Sequence, residues 1–366
     1  MKRNILLTLT LLLTLGTQAE DEWAEGFLTE KLNAAIEKQV PNDSKVSAPV
    51  FGGWIAGKYG YNDQWGTHGG DGFNCRFARA YVSGSILNDF KYRLQMELCN
   101  TPAIRDLHIQ WAHWKEFSVK FGQFKRPFTF GNPLHPWDIG TTSYNQIVTK
   151  FAGFGDYCGE SNVNGRDIGL AFEGSLFPVG KDQHRLLTYS AGIFNGNGIN
   201  HADNNGRKDL IGTLKVQPLE GFFLGISGWK GNFRSNNVTV GRNRWALSAS
   251  YDAQGWTARA EYAHHTGHKV SDWNTTTQTW KGTARADGWY TMLGVPCTKW
   301  LKTFVSYDAF RDQGTWGTLK SVYAICPNFR LHKDLLFQVQ YNFVCDKNAP
   351  RDRHYNEFVA QAYIRF

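Results

Sequence analysis

Apolar and polar residues alternate with a period of two over sixteen stretches of the chain: 50–61, 73–86, 89–99, 104–114, 117–125, 166–176, 184–195, 208–217, 221–231, 242–252, 255–265, 285–296, 299–310, 318–328, 334–345 and 355–366. This is the pattern of strands with two unlike faces. In 89–99, Phe90, Tyr92, Leu94, Met96 and Leu98 share one side, and Lys91, Arg93, Gln95, Glu97 and Cys99 the other. In 334–345, Phe337, Val339, Tyr341 and Phe343 alternate with Gln338, Gln340 and Asn342. The stretches are long enough for the roughly 9–11 residues with which a tilted strand crosses a bilayer. Connections after even-numbered stretches are mostly tight, as at Leu87-Asn88, Lys115-Glu116, Ala253-Gln254 and Cys297-Thr298. Those after odd-numbered stretches are generally longer and rich in Gly, Asn and Asp, as in 62–72, 196–207 and 266–284. Short turns on one rim and long loops on the other suit an outer-membrane barrel, whereas a soluble sandwich has no reason to sort its loops. The pattern predicts an all-β fold, a sixteen-stranded antiparallel transmembrane β-barrel over 49–366.

The two ends agree with that reading. Residues 1–19 read as a signal peptide: Lys2 and Arg3, the apolar run Ile5–Leu15, then Thr17-Gln18-Ala19 as a small-residue cleavage site. In 20–48, Leu28, Leu32, Ala35 and Gln39 recur at helical spacing before Pro41, which predicts a short periplasmic helix as a lead-in. The chain closes on "EFVAQAYIRF", an amphipathic last strand with a terminal Phe.

Composition sharpens the class. No later run reaches eighteen apolar residues, which excludes a helical membrane protein. An aromatic content of 15% suits interfacial girdles of Trp and Tyr. A negative mean hydropathy is compatible with membrane embedding when the lumen is wet. The net charge of +8 falls to about +6 once Lys2 and Arg3 are removed, weak support for anionic permeants.

Pairing around the turns decides which charges face inward. If residue numbers sum to 174 across Leu87-Asn88, then Ser83 meets Lys91, Tyr81 meets Arg93, Arg79 meets Gln95, Phe77 meets Glu97 and Cys75 meets Cys99. A sum of 230 across Lys115-Glu116 pairs Trp111 with Val119 and Ile109 with Phe121 on the lipid side, and turns Lys120 and Arg126 inward. Arg79, Lys91, Arg93, Lys120 and Arg126 then form a basic wall that focuses a positive field without doing chemistry. The alternative is that Glu97, Asp106 and other inward carboxylates neutralise it. Arg244 and Arg259, further round, have Asp252 and Glu261 as possible company. Lys125 is left for the rim or a subunit contact.

At this point the segments "VFGGWIAGKY", "CRFARAYVSGSI", "FSVKFGQFKRPF", "GIFNGNG" and "SYDAF" resemble, in order and spacing, the phosphate- and polyphosphate-selective porins O and P. The resemblance implies a homotrimer and a third external loop, here 126–165, that folds into the pore and narrows it. It also implies an arginine ladder and a lysine cluster. This loop departs from the family: it carries Lys150 against Asp138, Asp156 and Glu160. Ser306-Tyr307-Asp308 also stands where the family pattern has an Arg before Tyr-Asp. Both departures favour a transverse field, basic wall facing acidic loop, over strict phosphate selectivity.

The six cysteines permit several pairings, with a Cys75–Cys99 cross-strand bridge as the best candidate. His264, His265 and His268 are read as part of a solvated loop, since no Cys or carboxylate completes a metal site. No cofactor, catalytic motif or nucleic-acid signature is found. The expectation is a passive outer-membrane channel preferring small anions, phosphate or polyphosphate among them. A general diffusion or oligosaccharide channel is the alternative, and a structural or adhesive barrel the second alternative. The expected partners are outer-membrane lipid, two further copies of the chain and an envelope protein.

Overall fold

The computed structural model describes residues 46–64, 71–99, 101–235 and 237–366. The expected signal peptide and nearly all of the lead-in lie outside them. Sixteen strands close a barrel: β1 Val50–Asn62, β2 Asp71–Ile86, β3 Phe90–Glu97, β4 Ala103–Trp111, β5 Ser118–Lys125, β6 Arg166–Val179, β7 His184–Phe194, β8 Asp209–Leu219, β9 Phe222–Ser235, β10 Val238–Ala253, β11 Trp256–Gly267, β14 Ala284–Pro296, β15 Leu301–Asp312, β16 Leu319–His332, β17 Leu335–Asp346 and β18 His354–Arg365. Between β11 and β14 lies a small external hairpin, β12 Trp273–Asn274 and β13 Thr279–Trp280. Each barrel strand pairs antiparallel with its neighbour, and β18 returns to β1 through Trp54 opposite Arg365 and Asn62 opposite Glu357.

Burial is inverted relative to a soluble protein. Outward Ile109 and Phe121 are 56% and 63% exposed, while inward Gln338 and Gln361 are 0% and 1% exposed. A surface that meets lipid accounts for the first pair, and a polar interior for the second.

Three expectations need correction. The β2–β3 register runs two residues further along: Ser83 faces Arg93, Tyr81 faces Gln95 and Arg79 faces Glu97, because the turn takes up Leu87, Asn88 and Asp89 between Ile86 and Phe90. A shift of two preserves the face, so the inward set survives although its partners change. The β4–β5 register is as expected, with Trp111 opposite Val119 and Ile109 opposite Phe121.

The Cys75–Cys99 bridge is not formed. Both are carried as thiols, and Cys99 donates to the Cys75 carbonyl at 3.7 Å and to Glu97 Oε1 at 3.4 Å. The register brings Leu98 against Ala78, and a bulge passes over Arg76 where β1 pairs with β2. Together these move Cys75 out of the facing position.

In the polar stretch 232–241, expected as a loop, β9 instead runs on to Ser235 and β10 starts at Val238, paired with it. Phe233 and Val240 face each other there and pack with Cys158, which repays the extension with buried apolar surface.

Candidate functional site

The segment after β5 enters the barrel. Its neck is closed where Arg126 N donates to Gly165 O at 2.8 Å, and Asn132 Nδ2 donates to both Arg126 O and Gly165 O. Gly165 has φ +70°, and a Cβ there would overlap Asn132 Oδ1, so the return into β6 requires glycine. Within the loop, α1 (Gln146–Ala152) ends at Gly153 in the left-handed conformation. It buries Ile147, Val148, Phe151 and Ala152 in one apolar cluster with Phe128, Trp229, Tyr290, Met292, Phe304 and Phe310. A second cluster seats the loop's Trp137 against Trp54, Leu336 and Tyr363 on the far wall.

Polar anchors follow the same course. Phe130 N donates to Glu261 at 2.5 Å, Thr142 N to Gln340 at 2.7 Å and Gln146 N to Asp308 at 2.8 Å. Asn328 donates to Gly140 O, and Tyr157 OH to Asp312. The loop therefore lines the inner wall of β9–β18 and dries it.

Its acids are locked to arginines. Glu160 accepts both terminal nitrogens of Arg126 at 3.0 and 2.8 Å, and pairs with Arg242 at 2.9 Å. Arg126 also holds Asp167, and Arg242 holds Asp209. Asp156 takes Arg244 in a two-point contact at 2.8 and 2.7 Å. All three guanidinium groups lie 4.6–4.7 Å from the Trp229 ring. Burial pushes the Glu160 carboxyl up, but Arg126 and Arg242 more than offset this and leave it below its ordinary range. Asp156 is likewise pushed up by burial and drawn further down by Arg244. Asp138 has no ion pair among the described residues: burial pushes it up to about 6, and its Oδ2 accepts no hydrogen bond from them.

The opposite part of the lumen, along β2–β8, keeps a half-exposed strip of Lys91, Arg93, Lys120, Glu173 and Lys215 beside buried inward residues such as Arg79, Glu97 and Asp106. Arg93 lies there with its guanidinium 4.1 Å from the Tyr81 ring and a hydrogen bond to Gln95. Lys120 pairs with Glu173 at 2.6 Å. Lys91, half-buried, pairs across to Ser85 and Gln110. Lys215 and the hydroxyls of Ser175, Thr188, Ser190 and Thr213 continue the inward face.

The predicted site residues thus divide. Lys91, Arg93 and Lys120 line the wet side. Arg79 is buried on Glu97 at 2.7 Å and reaches the loop's Asn164. Arg126 is fully buried in the lock. Arg259 donates to Asp138 O at 2.9 Å and pairs with Asp252 at 3.4 Å. Arg244 takes Asp156 instead of Asp252. Lys150 is half-buried on the side of α1 away from the wall, with no ion pair among the described residues. Asp156 and Glu160 do not face a basic wall across open water: Glu160 touches Arg126 of that wall, and Asp156 touches Arg244 further round. Lys125 is not left at the rim but donates to the carbonyls of Pro133 and Leu134.

His264 and His265 belong to β11 rather than to a loop, and His265 is buried between Arg244 Nε at 3.2 Å and Cys158 Sγ at 3.5 Å. Sequence reading missed Arg242, Asp209, Asp167 and Trp229 as a unit. The signal available was inward parity in β9 and β10; the partner loop residue, Glu160, had no periodicity to place it.

No protein-family model and no curated protein matches the chain. Solved structures do. The fold is similar to that of an anion-selective porin from Comamonas acidovorans, at a TM-score of 0.65 and 11% identity over 87% of this chain and 98% of that one. It is similar to in-vitro folded OmpT, an outer membrane protein of Vibrio cholerae, at 0.60 and 10% identity over 90% and 100%. It is also similar to Salmonella typhi OmpF in complex with daunomycin, at 0.57 and 14% identity over 89% and 99%. At these identities the likeness establishes a barrel of the outer-membrane porin type; it does not single out the phosphate-selective family.

Proposed function

We propose that the protein is a passive outer-membrane channel for small hydrophilic solutes, preferring anions, phosphate among them, and working as a homotrimer. One observation carries the reading: the half-exposed strip of the lumen presents Lys91, Arg93, Lys120 and Lys215, while the nearby carboxylates Glu173 and Asp106 are held by Lys120 and Arg166. Where the loop narrows the low-dielectric bore, such a row raises the local anion concentration and lowers the barrier to entry. Arg93 adds a planar fork suited to phosphate or carboxylate oxygens. The similarity to a porin described as anion-selective supports the preference, and the trimeric form of OmpT supports the assembly.

The hydroxyl-rich continuation through Ser175, Thr188, Ser190 and Thr213 favours a second reading, a general diffusion channel with only mild charge preference. Reversal potentials in a salt gradient separate the two, with phosphate block of chloride current as the finer test. Equal permeability to anions and cations, with no block, would sink the selective reading.

A further inference from the structure

The lipid-facing side of β9–β15 is not uniformly apolar. Register places Lys230 beside Asn243, Asn243 beside Thr266, and Thr266 beside Arg285, in one outward row close to the external ends of their strands. The next row toward the periplasm runs Trp245, His264, Asp287, Arg311. Arg311 Nε donates to Asp287 at 2.9 Å, and its guanidinium lies 4.4 Å from the Trp316 ring. The one carboxylate of these two rows is thereby neutralised. Lys230 and Arg285 are exposed and have no ion pair among the described residues. Below them the outward residues turn apolar and aromatic, with Leu247 beside Tyr262 and Tyr262 beside Trp289.

We propose that this patch binds the phosphate-bearing headgroup of an outer-leaflet glycolipid. Three features identify the occupant. Two uncompensated cations sit three strand spacings apart, roughly 14 Å, a span suited to a headgroup with more than one anionic group. Exposed Trp245 lies one row below and between them, and exposed Trp316 lies against Arg311, a placing that suits rings meeting headgroups. The apolar rows beneath continue toward mid-membrane, where acyl chains lie, so the ligand is an amphiphile rather than a dissolved anion.

The test uses the full detergent-solubilised protein, titrated with a diphosphorylated glycolipid, with the same lipid after phosphate removal, and with inorganic phosphate, read by native mass spectrometry. The wild type should retain the phosphorylated lipid. The Lys230→Ala/Arg285→Ala variant should bind it roughly thirtyfold more weakly, while both proteins hold the dephosphorylated lipid equally weakly. Both residues are exposed, so the variant should keep its heat-modifiable barrel. Three outcomes would overturn the proposal: unchanged lipid binding by the variant, displacement of the lipid by millimolar inorganic phosphate, or a fall in oligomer size in the variant, which would make the patch a subunit contact.

Discussion

The lumen has two unlike halves. Along β9–β18 the loop turns the inner wall into something like a soluble core: Phe128, Ile147 and Phe151 are fully buried, and charges occur as the Arg244–Asp156 pair and a five-membered network of Asp167, Arg126, Glu160, Arg242 and Asp209. Along β2–β8 Arg79 and Arg166 are likewise buried on Glu97 and Asp106, but a strip of inward side chains, Lys91, Arg93 and Lys120 among them, stays half-exposed. The difference teaches that an inward position in this barrel does not define a pore-lining residue. Coverage by the loop decides whether a cation is a strut or a guide for permeants.

That contrast can be broken from the dry side, with the largest effect. Arg126→Ala leaves Glu160 and Asp167 buried with half their charge unmet and should cost about 3–5 kcal/mol. The expected outcome is a loop accessible to protease and a larger single-channel conductance. Charge reversal on the wet side is next. Lys120→Glu and Arg93→Glu should shift the reversal potential toward cations, several-fold in permeability ratio for the pair, with the loop still protected. The same reversal at Arg126 should act through conductance instead of selectivity.

A weaker perturbation is acid. Glu160 and Asp156 titrate below their ordinary values, so the stability they lend is complete above about pH 4.5 and is lost as pH falls through their folded values. Asp138, pushed up to about 6, works the other way: it destabilises the seated loop as pH rises from about 4 to that value. Conductance should therefore rise below about pH 4. Glu160→Gln should already be in the high-conductance state at neutral pH and change little on acidification. The smallest effect is expected at Lys150, where substitution by Ala should alter reversal potential slightly and stability hardly at all.

How much of this was legible depends on where periodicity operates. Most of the sixteen strands announce themselves because lipid on one side and water on the other enforce alternation, while 285–296 and 318–328 are less regular, and in the first of these the inward Tyr290 and Met292 pack against the loop. Arg93 and Lys120 could be placed on the correct face even with the β2–β3 register two residues out, since facing depends only on parity. The loop has no such constraint. Its Trp137, Glu160 and Asp156 find partners on β9–β18 that lie far away in sequence, and no local pattern encodes that choice. The same holds for the wall: Arg242 and Lys120 are both inward cations in amphipathic strands, and only the loop's path makes one a buried strut and the other a lining residue.

The anchors also set an order of events. Thr142 is held by Gln340, 198 positions later, and Gln146 by Asp308, 162 positions later. Neither contact can form until β15 and β17 have joined the wall, so the loop is seated last, after the slow, non-local closure of the cylinder. A newly inserted barrel therefore passes through an unthrottled stage before it reaches its working bore. Conductance followed from the moment of insertion should begin high and step down once.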